Sequence, residues 1–335
     1  MTKCSWFLDK KDKPILILGR AGMDLYPDPP GTKTEEAINL FAALGGSSAN
    51  IAVALSRQGL STALATRVSD DAIGQYVNSQ LQAYGVNTNY IRPVGDETRS
   101  SLAIVESRVE DHQSVIYRNN ASDFRMDSSD IEAIDLSIFS TLIVTGTCLT
   151  LEPSRSATLL ALNKARSHDL RTIMDLDYRP YSWEEPSQAK EVYESASDLL
   201  DVIVGNDEEF GHMAGDYALG RSLAQSLAKN GKLVVYKCGE KGSATYTNKD
   251  VIETGTVPVQ PIKPTGAGDS FLGAFIGQLY RSDDLLNALI YGSCSAAMVV
   301  TRVGCAPAMP TATELDDFVA KNLQRISQKI KTLAE

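Results

Sequence analysis

The sequence predicts an α/β fold with a mostly parallel central sheet covered on both faces, and three observations predict it. Apolar runs of strand length recur, as at residues 14–19 (PILILG), 142–145 and 233–237. Between them lie segments with apolar residues at helical spacing, such as 47–58, where Ile51, Ala52 and Leu55 share a face. The chain has 335 residues and 43% hydrophobic content, enough to bury a full core. Strand and helix in alternation place helices on both sides of one sheet.

In chain order, residues 61–68 read as a strand and 72–84 as a helix closed by Gly85. Residues 101–106 and 114–117 are short strands about the polar turn Glu110-Asp111-His112-Gln113. Strands are expected at 142–145, 172–176, 202–204 and 233–237, with helices at 154–168, 187–196 and 221–229. A hairpin follows at 243–246 and 251–254, then helices at 270–280, 285–302 and 313–333. The segments at about 24–44 and 99–118 break the alternation and are read as strands of a small β lid outside the main sheet. No internal repeat, low-complexity tract or linker interrupts the chain, so residues 1–335 are expected to form one domain.

The net charge of −10 excludes the counterion-release binding that nucleic acids offer to basic proteins. The first nine residues lack the apolar core of a secretory signal, and no apolar run approaches the roughly 18 residues that cross a bilayer. A cytoplasmic protein without membrane partners is expected. Cys4, Cys148, Cys238, Cys294 and Cys305 are scattered and odd in number, which fits reduced thiols. His112, His168 and His212 are too far apart for a metal site or a hydrolase triad. Asp175 and Asp177 have the spacing of two carboxylates on one face of a strand, and are read as structural groups in preference to a glycosidase pair. The basic stretch 321–331 is read as part of a solvated terminal helix.

The segment that carries chemistry is Pro264-Thr265-Gly266-Ala267-Gly268-Asp269-Ser270-Phe271. Small residues at a helix start let successive N–H groups point at one spot, where the helix end adds positive partial charge. That arrangement binds phosphate oxygens, and an acid at its edge, Asp269, can take the proton of an attacking hydroxyl. The same residues also suit a plain glycine-rich turn capped by Asp. Neither a Walker A loop nor a dinucleotide fingerprint is present.

Gly266-Ala267-Gly268-Asp269 followed by Ser270-Phe271 resembles the C-terminal signature of the ribokinase-like (PfkB) carbohydrate kinases. Gly45-Gly46-Ser47-Ser48-Ala49-Asn50 resembles the family's N-terminal glycine pair, with Asp24 where the first strand delivers a substrate-binding acid. Asn206-Asp207-Glu208-Glu209 is similar to its Asn-x-x-Glu element, and Lys237-Cys238-Gly239-Glu240-Lys241-Gly242 to its nucleotide-side strand and turn. These matches span nearly the whole chain in the family's order. They imply a ribokinase-like three-layer fold and an ATP-dependent kinase. Asp269 would be the base, with Gly266, Ala267 and Gly268 as the anion hole. Asp24, Gly45, Gly46 and Asn50 would hold the acceptor, and Lys237, Gly239 and Gly242 the nucleotide. Asn206 and Glu209 would act on Mg2+ and phosphate indirectly.

A narrower resemblance, to family members that phosphorylate keto-deoxy sugar acids, rests on Gly19-Arg20-Ala21-Gly22-Met23-Asp24-Leu25, Tyr117-Arg118, Asp175-Leu176-Asp177-Tyr178-Arg179-Pro180 and Ala308-Met309-Pro310-Thr311. The implied acceptor is the primary hydroxyl of 5-dehydro-2-deoxy-D-gluconate, with 2-dehydro-3-deoxygluconate and fructose as alternatives and a non-catalytic sugar-binding protein as the reading from a different class. An acid sugar wants a planar, always-charged partner, so Arg118 and Arg179 are candidates for its carboxylate. Arg179 precedes Pro180, which favours extended backbone at a strand end. Pairing of lid strands would make a homodimer. One departure stands out. The family usually has an Asp/Asn-Thr pair shortly before its Gly-Ala-Gly-Asp, and that pair helps hold a monovalent cation. Here the positions carry Lys263 and Pro264, which leaves K+ without those ligands. The Lys263 ammonium either takes the ion's place or is solvated.

Overall fold

The computed structural model describes residues 12–183, 185–282 and 284–332. The first strand, β1 (Ile15–Leu18), shows why the core has two sides. Ile15 and Ile17 join one buried cluster while Leu16 and Leu18 join another. Side chains alternate across a strand, so an unbroken apolar run requires cover on both faces.

The chain continues through β2 (Gly22–Asp28), β3 (Asn39–Gly45), α1 (Ser47–Arg57), β4 (Thr62–Ser69), α2 (Ala72–Ala83) and β5 (Asn87–Val94). Then come β6 (Ser101–Val105), β7 (Ser114–Tyr117), α3 (Ser128–Glu132), β8 (Thr141–Thr145), α4 (Ser154–Ser167), β9 (Arg171–Asp175) and α5 (Pro186–Ser197). The last part holds β10 (Val202–Asn206), α6 (Asp207–Ala214), α7 (Gly220–Lys229), β11 (Leu233–Lys237), β12 (Ser243–Tyr246), β13 (Asp250–Thr254), α8 (Ala267–Arg281), α9 (Leu285–Val299), α10 (Ala312–Asn322) and β14 (Gln328–Thr332). A ten-stranded sheet runs β14-β13-β12-β11-β10-β9-β8-β1-β4-β5. It is parallel from β11 to β5 and antiparallel from β11 to β14. Residues of α1, α2, α8 and α9 pack one face, and residues of α4, α5, α6 and α7 the other. This is the three-layer α/β architecture expected.

The segments that broke the alternation form a separate four-stranded sheet, β3-β2-β6-β7. Its central pair, β2 and β6, is parallel, and both outer pairs are antiparallel.

Three expectations change. The terminal helix stops at Asn322, and residues 328–332 pair antiparallel with β13. The alternating lysines Lys329 and Lys331 suit a sheet edge, where charge discourages further pairing, and Lys331 reaches Glu253 at 3.2 Å. Strand β5 and helix α6 were not anticipated. Half-exposed β5 carries mixed polar residues, and α6 is short and begins with three acids. Asp175 ends β9, but Asp177 has a φ of 36°, so the two acids do not share one face of a strand. Cys148, Cys238, Cys294 and Cys305 are free thiols. Cys4 and the segment read for a signal lie outside the described residues. Among the described residues no helix is long and apolar enough to cross a membrane.

Candidate active site

The parallel strands deliver polar groups at their carboxyl ends, where open α/β sheets bind ligands. Thr145 closes β8, Asp175 closes β9, Asn206 closes β10 and Lys237 closes β11. Above them Gly266 stands at the cap position just before α8, with a φ of 81° that is open to glycine. No side chain caps this helix, so the N–H groups of Ala267 and Gly268 are left for a ligand. Elsewhere caps are supplied: Asp71 accepts from Ile73 and Gly74 at α2, and Thr311 with Glu314 makes a capping box at α10.

Helix α8 lies tight on α1. A Cβ on Gly273 would sit 2.3 Å from the Cβ of Ala54, so only glycine allows this approach. The contact brings Asn50 on α1 to Asp269 on α8, with Asn50 Nδ2 donating to Asp269 Oδ2 at 2.8 Å. Asn50 Oδ1 is buried without a protein partner. The Asp269 carboxyl keeps a partly open face but sits deep among protein atoms. Burial, reinforced by the negative charges of Asp177 and Asp175, pushes it up to about 7. An acid poised there can hold or release a proton near neutral pH.

Around it lies a buried charge network. Lys237 Nζ is 3.8 Å from Asp175 Oδ2, and a Cβ on Gly268 would come within 3.2 Å of the same ammonium. Burial opposes the Lys237 charge, but Asp175, Glu209, Asp269 and Asp177 outweigh it and raise its pKa. Asp177 pairs with Arg179 Nη2 at 2.8 Å and accepts from Thr147 Oγ1 at 3.2 Å. Burial works against its ionisation, but Arg179, Ser47, Arg20 and Arg118 hold its carboxyl below the usual range. Arg179 is extended, as its place before Pro180 predicts.

The sheet formed by β2, β3, β6 and β7 supplies the opposite wall. Asp24 on β2 is buried, which raises its pKa, and accepts from Tyr26 at 3.0 Å. Gly45 faces it so closely that a Cβ would overlap the Asp24 carboxylate, at 2.0 Å from Oδ1. Gly46, at φ 97°, caps α1 against the Arg20 carbonyl. Arg20 donates to Ser101 Oγ at 3.2 Å. Arg118 is no surface residue. It is buried over the ring of Phe124, with Nη2 bonded to Asp123 and to the Thr147 carbonyl. Its Nε and Nη1 are buried without partners.

On the other side of Gly268 a cavity of about 640 Å³ opens. Lys237, Gly239, Gly242, Val257, Pro258 and Phe271 line it. Gly239 and Gly242 bracket the turn after β11. Asn206 and Glu209 cap α6 reciprocally: Glu209 N–H donates to Asn206 Oδ1 at 2.8 Å, and Asn206 N–H to Glu209 Oε2 at 2.7 Å. Burial first, with Asp175 adding to it and Lys237 opposing, pushes Glu209 up to about 7. No cluster of three metal-ligating side chains occurs among the described residues.

The model of the pfkB family carbohydrate kinases matches residues 12–312. The chain belongs to the pfkB carbohydrate kinase family. It is 36% identical to the 5-dehydro-2-deoxygluconokinase of Photobacterium profundum, over 92% of this chain and 96% of that one. It is 32% identical to the enzyme of the same name from Geobacillus kaustophilus, over 94% and 96%. In fold it is similar to fructokinase from Vibrio cholerae O395 in its fructose, ADP and calcium ion bound form. The TM-score there is 0.80 at 24% identity, over 92% of this chain and 99% of that one. Fructokinase from Xylella fastidiosa with bound ATP matches with a TM-score of 0.81 at 22% identity, over 94% and 99%.

The kinase thus brings Asp269, Asn50, Lys237, Arg179 and the loop glycines together at one cleft, with Asp24 on the facing sheet and Arg118 just past the end of its strand β7. Sequence reasoning undervalued Asp175 and Asp177 and passed over Thr147. Their signal was a place at or just past the ends of β8 and β9. It missed that Lys263 is wholly buried, so a solvated Lys263 is corrected. Tyr178 and Trp183 are buried, and Tyr178 stacks on His212 at 3.9 Å.

Proposed function

We propose that this carbohydrate kinase transfers the γ-phosphoryl group of ATP to the primary hydroxyl of 5-dehydro-2-deoxy-D-gluconate. The observation that carries the reading is the position of Asp269. It is a carboxyl with a pKa near 7, set between an uncapped helix start and a cleft where Arg20, Arg118 and Arg179 surround Asp177. Nucleotide phosphates lie over Gly266, Ala267 and Gly268, and the base fills the cavity beside Gly239 and Gly242. Asn50 holds one oxygen of Asp269, and the other takes the proton of the acceptor hydroxyl as its oxygen attacks the γ-phosphorus in line. The Ala267 and Gly268 N–H groups meet the charge that develops on the phosphoryl oxygens. Lys237 balances charge beside the loop.

Asp24 and the unpaired Oδ1 of Asn50 suit acceptor hydroxyls. The unpartnered Nε and Nη1 of Arg118, helped by Arg179, suit the acceptor carboxylate. Mg2+ supplies charge neutralisation on the phosphates. The surplus of buried carboxylates at Asp175 and Glu209 fits a cation arriving with the nucleotide, and Asn206 and Glu209 act through the fold of that end. The four-stranded sheet acts as a lid that excludes water from the γ-phosphate. It leaves Leu40, Phe41, Val115 and Tyr117 exposed, which suits pairing of two lids in a homodimer, and residues 1–335 work as one kinase unit in the cytoplasm.

A coupled ADP-release assay with sugar acids and neutral sugars tests the reading. Turnover is expected to be highest with 5-dehydro-2-deoxy-D-gluconate. Faster turnover of 2-dehydro-3-deoxygluconate or fructose reassigns the acceptor, and no ADP from any of them removes the catalytic reading.

A further inference from the structure

The clearest departure of this chain from its family lies beneath the anion loop. The resemblance implies a monovalent cation there, held in part by an acid or amide and a Thr at positions 263 and 264. The residues present here do not fit K+. Pro264 has no side-chain oxygen, and position 263 carries an ammonium of the same sign as the ion.

That ammonium is built into the core. Lys263 is 0% exposed, and its Nζ donates to the Thr265 carbonyl at 2.5 Å. The other end of the segment is pinned by backbone: Ile262 and Lys263 N–H both donate to the Val300 carbonyl, at 2.8 and 3.3 Å. Thr265 immediately precedes Gly266, whose close neighbour is Cys305, with 2.9 Å between Sγ and the position of a Cβ. Tyr26 donates to Asp24 and lies 3.4 Å from the same sulfur. Lys263 therefore ties the start of the phosphate loop from a buried position, close enough to Asp269 and Asp24 to feel their charge. Burial lowers the Lys263 pKa, and the nearby Asp269 and Asp24 carboxylates offset only part of that, so it is the contact with the Thr265 carbonyl that argues for the ammonium form. A carbonyl oxygen satisfied by a cation in a buried site is the contact that a bound alkali ion makes. Lysine makes it here without leaving.

We propose that the Lys263 ammonium is a built-in monovalent cation that holds the Thr265 carbonyl, keeps the 263–268 loop in its anion-binding shape and frees the kinase from K+. Lys263 acts through the loop, so it is a positioning residue. The inference rests on the kinase reading above but not on the choice of acceptor.

The test uses the full chain and two readouts, calorimetric binding of Mg2+·ATP and ADP formation, each in K+ and in tetramethylammonium buffer. Changing the cation is expected to move nucleotide affinity of the unmodified protein by less than about twofold. Lys263→Met is expected to lose about a hundredfold in turnover through loop misplacement. Lys263→Asp combined with Pro264→Thr is expected to gain a K+ response that the parent lacks, which a merely structural lysine would not produce. Stimulation of the parent by K+ of more than about fivefold overturns the proposal. So does parent-like turnover by Lys263→Met, or a double variant indifferent to K+. The parent's own cation response needs no variant to fold. A wrong acceptor shows separately, as intact nucleotide binding without turnover.

Discussion

At the phosphate end of the cleft the groups on offer are backbone N–H donors at Ala267 and Gly268, on a helix that no side chain caps. Across the cleft the groups on offer are the side chains of Asp24, Arg20 and Arg118, each already tied to a partner on the four-stranded sheet or the loops behind it. The first wall is short-range and built of small residues. The second is assembled from segments far apart in the chain. The difference teaches where variation is tolerated. On the proposed reading, phosphoryl transfer uses donors that any backbone supplies once the loop is shaped, and acceptor choice uses side chains, so the second wall can change partner while the chemistry stays.

The sharpest way to break this comparison is at Asp269, which belongs to the phosphate wall by position but depends on side chains for its pKa. Asp269→Asn is expected to lower kcat by about 10²–10⁴, while calorimetry shows Mg2+·ATP still bound. The same variant tests linkage. The Asp269 pKa is raised on folding, so its contribution to stability is fully present below its unfolded value and is lost as pH rises towards about 7. Asp269→Asn is therefore expected to melt higher than the parent at pH 8, with the gap closing as pH falls towards the ordinary carboxylate range. An equal gap at all pH values would refute the assigned environment.

Next in size is the loop itself. Gly266→Ala puts a Cβ 2.9 Å from Cys305 Sγ at a φ of 81°. Losing the shape of the anion hole is expected to cost about a hundredfold in kcat, for every acceptor alike. Unequal losses among acceptors would show that the two walls are not separable.

The acceptor wall predicts the opposite pattern. Arg118→Lys keeps a charge for Asp123 but loses the planar fork. KM for a sugar acid is expected to rise about tenfold, with little change for a neutral sugar. Equal effects on both would place the carboxylate elsewhere, with Arg179→Ala as the next variant. The smallest effect expected is a shift in pH profile. Asp177→Asn removes a negative charge that raises the Asp269 pKa, so the rising limb of kcat/KM for ATP should move to lower pH. A limb that stays in place would remove Asp177 from the electrostatics of the base.

Much of this was legible in the residues. The run Ile15-Leu16-Ile17-Leu18 announced a strand buried on both sides, and Gly266-Ala267-Gly268-Asp269 announced a helix start. The break in alternation at about 24–44 and 99–118 marked the second sheet. What was not legible shares one cause. Strand β14 was hidden because a short Lys/Ile pattern satisfies helical and strand periods alike, and only an open edge at β13 chose between them. The Asn206 and Glu209 contacts read from sequence as phosphate chemistry are, in the fold, first a helix cap.

The sequence by itself determined the local pieces: which segments are strands, where a helix would start without a cap, and which acid stands at that start. Tertiary structure alone decided their electrical state. Burial of Asp269, with Asp177 and Asp175 folded beside it, pushes its carboxyl up to about 7, and Lys263 is wholly buried with its Nζ on the Thr265 carbonyl. Backbone preferences act over a few residues and are written locally. Charge and desolvation act through space, and depend on neighbours that only the folded chain brings together.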